Sequence, residues 1–506
     1  MYLQGHLISE DQMNTITIVQ NNKSRTFKTV RGKLLLDVLV SEGYDIYSPC
    51  GGKGTCGKCM VRVKGRGIVQ ACRYKVDEDI CVEIPGSREM KVLISQYENT
   101  YDVDLKPAIP LDISFKNIGC AIDIGTSTMV FHFVDLETGM LIRTYSGINP
   151  QAAYGADIIS RIKYCMDNSD GLKIMQALLL DSINSSMAGF AVDCRMNTYE
   201  IVSVFITGNT TMLHFIAGVD PTSIAIAPFN PEFTAQRTLD LSSLNLDINS
   251  KSEIKLLPSV SAYIGADIVS GLASIDPGSA KKWLYLDIGT NGEIALVNDQ
   301  NILACATAAG PAFEGARISC GCPAVEAAIS SYDDGIFTTI GGADPAGVCG
   351  SGLVDIIAHM LKKGLISAGG ETDDDFRVYQ DNERDLRITG RDVREVQLAK
   401  AAISAGIDIL LSRAGCGYED IEMLVLAGGF GNYLSVENAV TIGLLPGELS
   451  SRVIQVGNAA GTGALLALKS VDFSNKLDKL ASSMDYIELS TDREFAELFV
   501  EKMNFG

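Results

Sequence analysis

Ile118-Gly-Cys-Ala-Ile-Asp123-Ile-Gly125-Thr126-Ser127-Thr128 returns about 160 residues later as Trp283-Leu-Tyr-Leu-Asp287-Ile-Gly289-Thr290-Asn291-Gly292-Glu293. Each copy is an apolar strand running into Asp-Ile-Gly-Thr. Another apolar strand follows, Met129–Val134 in the first copy and Ile294–Val297 in the second. An Asp at a strand end, then Gly and a hydroxyl, makes a tight hairpin. Its backbone N–H groups and hydroxyls can hold phosphate oxygens while the carboxylate holds hydrated Mg²⁺. One copy would say little, because Gly-Thr turns are common. Two copies place two phosphate hairpins on facing subdomains.

More of the duplicated unit is legible around them. Ile201–Thr207 enters Gly208-Asn209-Thr210-Thr211, and Leu424–Leu426 enters Ala427-Gly428-Gly429-Phe430-Gly431 in the same way. A helix over Pro258–Leu272 follows the strand Ile254–Leu257, as Asn458–Lys469 follows Val453–Val456. Asp123 and Asp287 read as Mg²⁺–nucleotide carboxylates, with strand-end caps as the plain alternative. Asp267 is a candidate to orient the attacking water, or else a solvated helix position. Glu293 and Glu314 are further carboxylates near the motifs.

A second signal stands near the N-terminus, in Cys50-Gly-Gly-Lys-Gly-Thr-Cys56-Gly-Lys-Cys59, with Cys72 further on. Four thiolates complete the tetrahedral irons of a 2Fe-2S cluster. The intervening glycines let the backbone curl around it and aim N–H groups at sulfur. A zinc site built on Cys56-x-x-Cys59 would need no such run of glycines. Cys81, inside a strand pattern, reads as core. Lys53, Lys58 and Arg62 form a basic surround, either a solvated face or a docking aid for an acidic donor. Cys320-Gly-Cys322, with Cys305 and Cys349, completes no ligand set.

The remaining composition sets bounds. A net charge of −20 argues against a nucleic-acid partner, which needs a basic face. No apolar run is long enough to span a bilayer and no secretory signal opens the chain, so a cytoplasmic protein is expected. The 13 cysteines are scattered and odd in number, as reduced thiols would be. The four histidines have no nucleophile partner at useful spacing, which speaks against covalent hydrolysis. Residues 1–13 read as a tail, 14–86 as the cluster domain and 87–114 as an irregular linker. The two duplicated subdomains would occupy 115–280 and 281–506.

Residues 14–86, with a strand pair, a helix, the cysteine loop and closing strands, resemble the β-grasp ferredoxins. Residues 116–470 resemble the actin, sugar kinase and Hsp70 ATPase superfamily, a duplicated ribonuclease-H-like fold. That resemblance makes Asp123–Thr128 the first phosphate motif and Asp287–Glu293 the second. It makes Leu426–Phe430 the adenosine motif, and Val260–Ala273 and Gly457–Leu465 the connecting helices. ATP would then lie on Gly125, Thr126, Ser127, Thr128, Gly289, Thr290, Asn291, Gly292, Gly428, Gly429 and Phe430. The small residues of Gly457–Ala464 would let the connecting helices cross closely. The whole α/β multidomain chain, including Gly310-Pro-Ala-Phe313-Glu314-Gly-Ala316, is similar to the reductive activators of corrinoid proteins. Some of these carry a further domain where this chain has only its linker.

The resemblance implies ATP-dependent one-electron reduction of a corrinoid protein from Co(II) to Co(I), in a methyltransferase or O-demethylase system. Cofactors would be the 2Fe-2S cluster on Cys50, Cys56, Cys59 and Cys72, ATP and Mg²⁺. The electron donor would be a flavodoxin, ferredoxin or reductase, and a homodimer is left open. Two other classes stay in view. One is an ATP-driven donor to another metalloenzyme, of the dehydratase-activator type. The other is a non-redox small-molecule kinase or nucleotide-gated scaffold.

Overall fold

The structure, a computed structural model, describes residues 13–20, 23–44, 46, 48, 52, 54, 58–84, 103–105 and 116–506, save for 300, 383 and 432. It divides into two compact units. One is built from residues up to 90 together with 150–164, the other from 91–149 and 165–506.

In the first unit, β1 (Met13–Gln20), β2 (Lys23–Val30), β3 (Met60–Val63), β4 (Gly67–Gln70) and β5 (Ile80–Glu83) form one sheet in the order β2-β1-β5-β3-β4. β1 and β5 run parallel, and the other neighbours are antiparallel. Alternation explains the sheet: Val61 and Val63 turn inward while Met60 and Arg62 face solvent. The Leu35–Ser41 helix covers the inner face with Leu35, Leu36, Val38 and Leu39. β1 begins one residue inside the stretch read as a tail. β4 was not anticipated, because no residue of it is fully buried and no alternation marks it. Most of the stretch read as a linker lies outside the described residues.

The second unit carries the duplication in its topology. β6 (Ile118–Ile124), β7 (Thr128–Asp135) and β8 (Leu141–Ile148) form an antiparallel meander. β9 (Ile201–Gly208) joins β6 in parallel, β11 (Glu253–Leu256) joins β9 in parallel, and β10 (Arg237–Leu239) closes the edge. The second sheet repeats the plan. β12 (Lys282–Ile288), β13 (Gly292–Asn298) and β14 (Asn301–Thr307) form its meander. Small sheets of β15 (Ala328–Asp333), β16 (Ile336–Thr339) and β17 (Gly347–Val348), and of β18 (Phe376–Gln380) and β19 (Asp385–Ile388), are inserted after it. β20 (Met423–Ala427) then joins β12 in parallel and β21 (Val453–Gly457) joins β20. β22 (Met484–Tyr486) adds a strand beyond β14. Strand orders 11-9-6-7-8 and 21-20-12-13-14 are therefore equivalent.

Two boundaries differ from the sequence reading. Thr128 and Gly292 lie in strands, so each hairpin turn is tighter than its motif suggested. The helix expected from Pro258 spans only Ala266–Ala273. Residues 258–265 instead form a loop in which Val260 and Ser261 N–H both donate to the Ile264 carbonyl. Gly265 starts the helix in the one space available. A Cβ there would stand 2.5 Å from Asn209 Cα.

The Ala266–Ala273 and Ala459–Lys469 helices cross at contact distance. A Cβ on Gly463 would lie 1.9 Å from the Ser270 carbonyl oxygen, and one on Gly271 would lie 2.1 Å from Tyr285 Oη. The small residues of the second helix thus do what their sequence suggested. Gly463→Ala should cost the second unit about 1–3 kcal/mol, because backbone rather than a flexible side chain stands in the way. Gly189→Ala, inside the Gly171–Cys194 helix with open space around it, should instead stabilise by about 0.5–1 kcal/mol. Denaturant titration of both variants checks the contrast, and equal effects would contradict the crossing geometry.

Candidate nucleotide cleft and cluster loop

Asp123 and Asp287 stand next to last in equivalent strands, each just before its hairpin. The first hairpin closes with Gly125 N–H donating to the Thr128 carbonyl at 2.8 Å, the second with Gly289 N–H donating to Asn291 at 2.9 Å. Three asparagines brace the site. Asn149 Nδ2 donates to the Gly125 carbonyl at 2.8 Å, and Asn209 Nδ2 donates to Thr126 Oγ1 at 3.1 Å. Asn458 caps its helix by accepting from Gly461 N–H, and its side chain also hydrogen-bonds Asp123. Asn209 and Asn458 had a signal in the sequence, since each stands where a strand enters a helix. Asn149 had none.

Four carboxylates meet here. Asp267 lies in the first turn of the Ala266–Ala273 helix. Glu293 is paired with Asp287 across β12 and β13, a register that sets like charges opposite one another. Burial, with Asp267 adding repulsion, pushes Asp123 up to about 7, and the Asn458 hydrogen bond works against that rise. Burial followed by repulsion from Asp267 carries Asp287 to about 7. Burial raises Asp267 to about 6, and Glu293 rises well above its ordinary value through burial and both aspartates. All four nevertheless keep part of their surface open. Asp267 is thus a member of the cleft and not a solvated helix position.

Glu314 bridges the two hairpins, accepting from Ser127 Oγ at 2.9 Å and from Thr290 Oγ1 at 2.7 Å. Gly428, with φ +80°, lies against Asp287, whose Oδ1 would be 2.4 Å from a Cβ there. Gly429 faces open space. Phe430 stacks on Phe313 with ring centroids 4.9 Å apart and planes inclined by 19°. Among the described residues, no three carboxylate, cysteine or histidine side chains converge as direct ligands of one ion. A site for Mg²⁺ that keeps most of its waters needs no such trio.

In the cluster loop, Cys59 and Cys72 are buried together, and Cys72 N–H donates to Cys59 Sγ at 3.4 Å. That is the N–H···S contact that stabilises a ligating thiolate. Gly52 and Gly54 have φ of +77° and +74°, where a side chain would be strained. Arg73, which the sequence reading passed over, ties the loop by donating to the Gly54 carbonyl at 2.6 Å. Cys50, Cys56 and Lys53 lie outside the described residues. Cys81 is half-buried in β5. Arg62 lies 4.0 Å from Glu83, and Cys305, Cys320, Cys322 and Cys349 belong to no ligand cluster among the described residues.

The fold and the two sites define an iron–sulfur protein joined to an ATPase of the actin and sugar-kinase type. Residues 18–81 match the 2Fe-2S iron-sulfur cluster binding domain, 118–276 the RACo middle region, and 281–506 the C-terminal, ASKHA domain of RACo. The chain is 31% identical to the corrinoid activation enzyme RamQ of Eubacterium limosum, over 94% of this chain and 96% of the relative. It is 24% identical to the Co(II) methylated amine-specific corrinoid protein reductase of Methanosarcina barkeri, over 76% of this chain and 77% of that one. A solved reductive activator for corrinoid, iron-sulfur protein superposes with a TM-score of 0.73 at 28% identity, covering 97% and 98% of the two chains. The protein belongs to the family of corrinoid activation enzymes.

The carboxylate cluster has a pH signature. Asp123 and Asp287 shift from 3.8 to about 7 on folding, so their ionisation costs more in the folded than in the unfolded chain. The stability this leaves is full below about 4 and is lost as pH rises through 6 to 7. Denaturant midpoints of the metal-free, nucleotide-free protein should fall between about pH 4.5 and 7 and level off above that. Asp123→Asn should flatten that fall. A flat wild-type profile would contradict the crowding.

Proposed function

We propose that this protein reduces the cobalt of a partner corrinoid protein from Co(II) to Co(I) by one electron, with ATP setting the conformation in which transfer occurs. The carrying observation is one chain that holds both the cysteine cradle and the duplicated hairpin cleft and that aligns with RamQ over nearly its whole length. The electron would come from a low-potential carrier such as a flavodoxin, a ferredoxin or a reductase. Among the described residues no helix is long and apolar enough to cross a membrane, and we place the protein in the cytoplasm.

Cys50, Cys56, Cys59 and Cys72 would hold the cluster, and Arg73 and the two positive-φ glycines would shape its loop. When bound, a ferredoxin-type cluster accepts and passes on single electrons near −400 mV. The Co(II)/Co(I) couple is expected lower, and each 59 mV of uphill gap disfavours transfer about tenfold. That gap is the reason for an energy input. In the cleft, Thr126, Ser127, Thr290 and Asn291 would hold phosphate oxygens with the hairpin N–H groups. Asp123 and Asp287 would hold hydrated Mg²⁺, which also relieves their mutual repulsion. Asp267 would orient the water that attacks the γ-phosphate, and Gly429 offers an open ledge for adenosine. ATP thereby acts as a ligand that binds two cleft conformations unequally and shifts their populations.

The test is anaerobic visible spectroscopy of a Co(II) corrinoid protein with this protein and a reductant, ATP added last. Co(I) absorbance should rise on ATP addition. Asp123→Ala and Asp287→Ala should each abolish ATP hydrolysis and the ATP-dependent rise while leaving the cluster spectrum intact. Cys59→Ala and Cys72→Ala should bleach the cluster, and Cys81→Ala should not. Equal Co(I) formation without ATP would defeat the coupled mechanism.

A further inference from the structure

Glu314 sits at the meeting point of the two hairpins. It accepts from Ser127 Oγ on the β6 side and from Thr290 Oγ1 on the β12 side, at 2.9 and 2.7 Å, through different carboxylate oxygens. Two oxygens of one anionic group therefore take one hydroxyl from each hairpin. Two oxygens of a single phosphoryl group would make the same demand. Each hydroxyl has only one hydrogen to donate, so Ser127 and Thr290 cannot serve Glu314 and a phosphate at once. A carboxylate and a phosphate are also like charges, and their repulsion is strong where water is scarce.

The segment that carries Glu314 is built to be held at both ends of the cleft. Phe313, the preceding residue, stacks on Phe430 beside Gly429. Gly310 and Gly315 flank the pair with φ of +74° and +75°, and a Cβ on Gly315 would meet the Cys322 backbone nitrogen at 2.5 Å. Gly350 packs under the same segment, and a Cβ on it would lie 2.1 Å from the Phe313 carbonyl oxygen. A single dipeptide thus touches the adenosine motif through a ring and both phosphate hairpins through a carboxylate.

We propose that Glu314 is a stand-in for nucleotide phosphate. Its carboxylate takes the two hydroxyls of the subsite shared by Ser127 and Thr290, and a triphosphate that binds there must displace it. The displaced residue carries Phe313 with it, so phosphate occupancy is reported at the Phe430 stack. Glu314 is a positioning residue here, and no bond to it forms or breaks. The proposal rests on the reading of the hairpins as phosphate loops.

The sign of one binding change decides it. The full-length holoprotein, its Glu314→Ala variant and the isosteric Glu314→Gln variant are titrated calorimetrically under anaerobic conditions with Mg²⁺ and a non-hydrolysable ATP analogue, and separately with adenosine. Removing a competing carboxylate should tighten the triphosphate about ten- to a hundredfold, the scale of one charge-assisted hydrogen bond. Adenosine, which has no phosphate, should bind unchanged. In the absence of nucleotide both variants should melt earlier than wild type, and the analogue should remove the difference. Triphosphate affinity that is unchanged or weaker in both variants would overturn the proposal, because a metal-holding or water-orienting carboxylate gives that sign. Equal tightening of adenosine and triphosphate would overturn it too, as a general opening of the cleft. Wild-type protein that binds adenosine but not the analogue would overturn the hairpin reading itself, and this proposal with it.

Discussion

Asp123, Asp267, Asp287 and Glu293 are held together against their mutual repulsion, and the second unit is arranged around that constraint. Neither duplicated half produces the crowding alone. β6 carries Asp123 and β12 carries Asp287 one residue before their ends, while the β12–β13 register adds Glu293 opposite Asp287. The Ala266–Ala273 helix brings Asp267 by its first turn. Folding must supply several kcal/mol elsewhere to keep such groups near one another, and the two apolar sheets do so. A fold that spends stability on clustered carboxylates is suited to a divalent cation and a polyphosphate, whose charges satisfy one another there.

The crossing of the Ala266–Ala273 and Ala459–Lys469 helices fixes how those carboxylates face. Gly463 against the Ser270 carbonyl, and Gly271 against Tyr285, leave no room for an added methyl group. A contact this tight has few intermediate arrangements, since packed surfaces rearrange between discrete states and do not deform smoothly. Tyr285 lies on the same strand face as Asp287, two residues before it. Its buried hydroxyl has no hydrogen-bond partner among the described residues. The floor of the cleft and the helix crossing are therefore one piece of packing. A change in cleft geometry must be felt at the crossing.

The parts legible in the sequence were those written in short-range pattern. Both Asp-Ile-Gly-Thr hairpins, the glycines of the cysteine loop and the small residues of the second crossing helix were read from neighbours along the chain. The helix start at Pro258 was misread because proline is welcome in a first turn. What ended that expectation was the tight packing of Gly265 on Asn209, which only the tertiary structure contains. Glu314 was legible as a nearby carboxylate but not as a bridge, because Ser127 is 187 residues away from it. Asn149 and Arg73 hold backbone carbonyls of distant or looping segments, and no local spacing announces such a bond. Gly428 likewise has a distant neighbour that no local spacing announces. Its missing side chain makes room for Asp287, while Gly429 keeps the open surface.

These contacts also bear on what ATP could do for a redox protein. A kinase must place an acceptor hydroxyl in line with the γ-phosphate. Here Ser127 and Thr290 point instead at Glu314, a carboxylate of the protein's own chain. The groups nearest the expected phosphates are thus occupied with joining the two halves of the unit. A ligand that takes over those hydroxyls exchanges one set of ties for another, and the free energy of that exchange can move the halves. Hydrolysis then matters because it removes the γ-phosphate from the competition. Binding and cleavage become the two strokes of a conformational cycle, and the electron is spared from having to carry the energy itself.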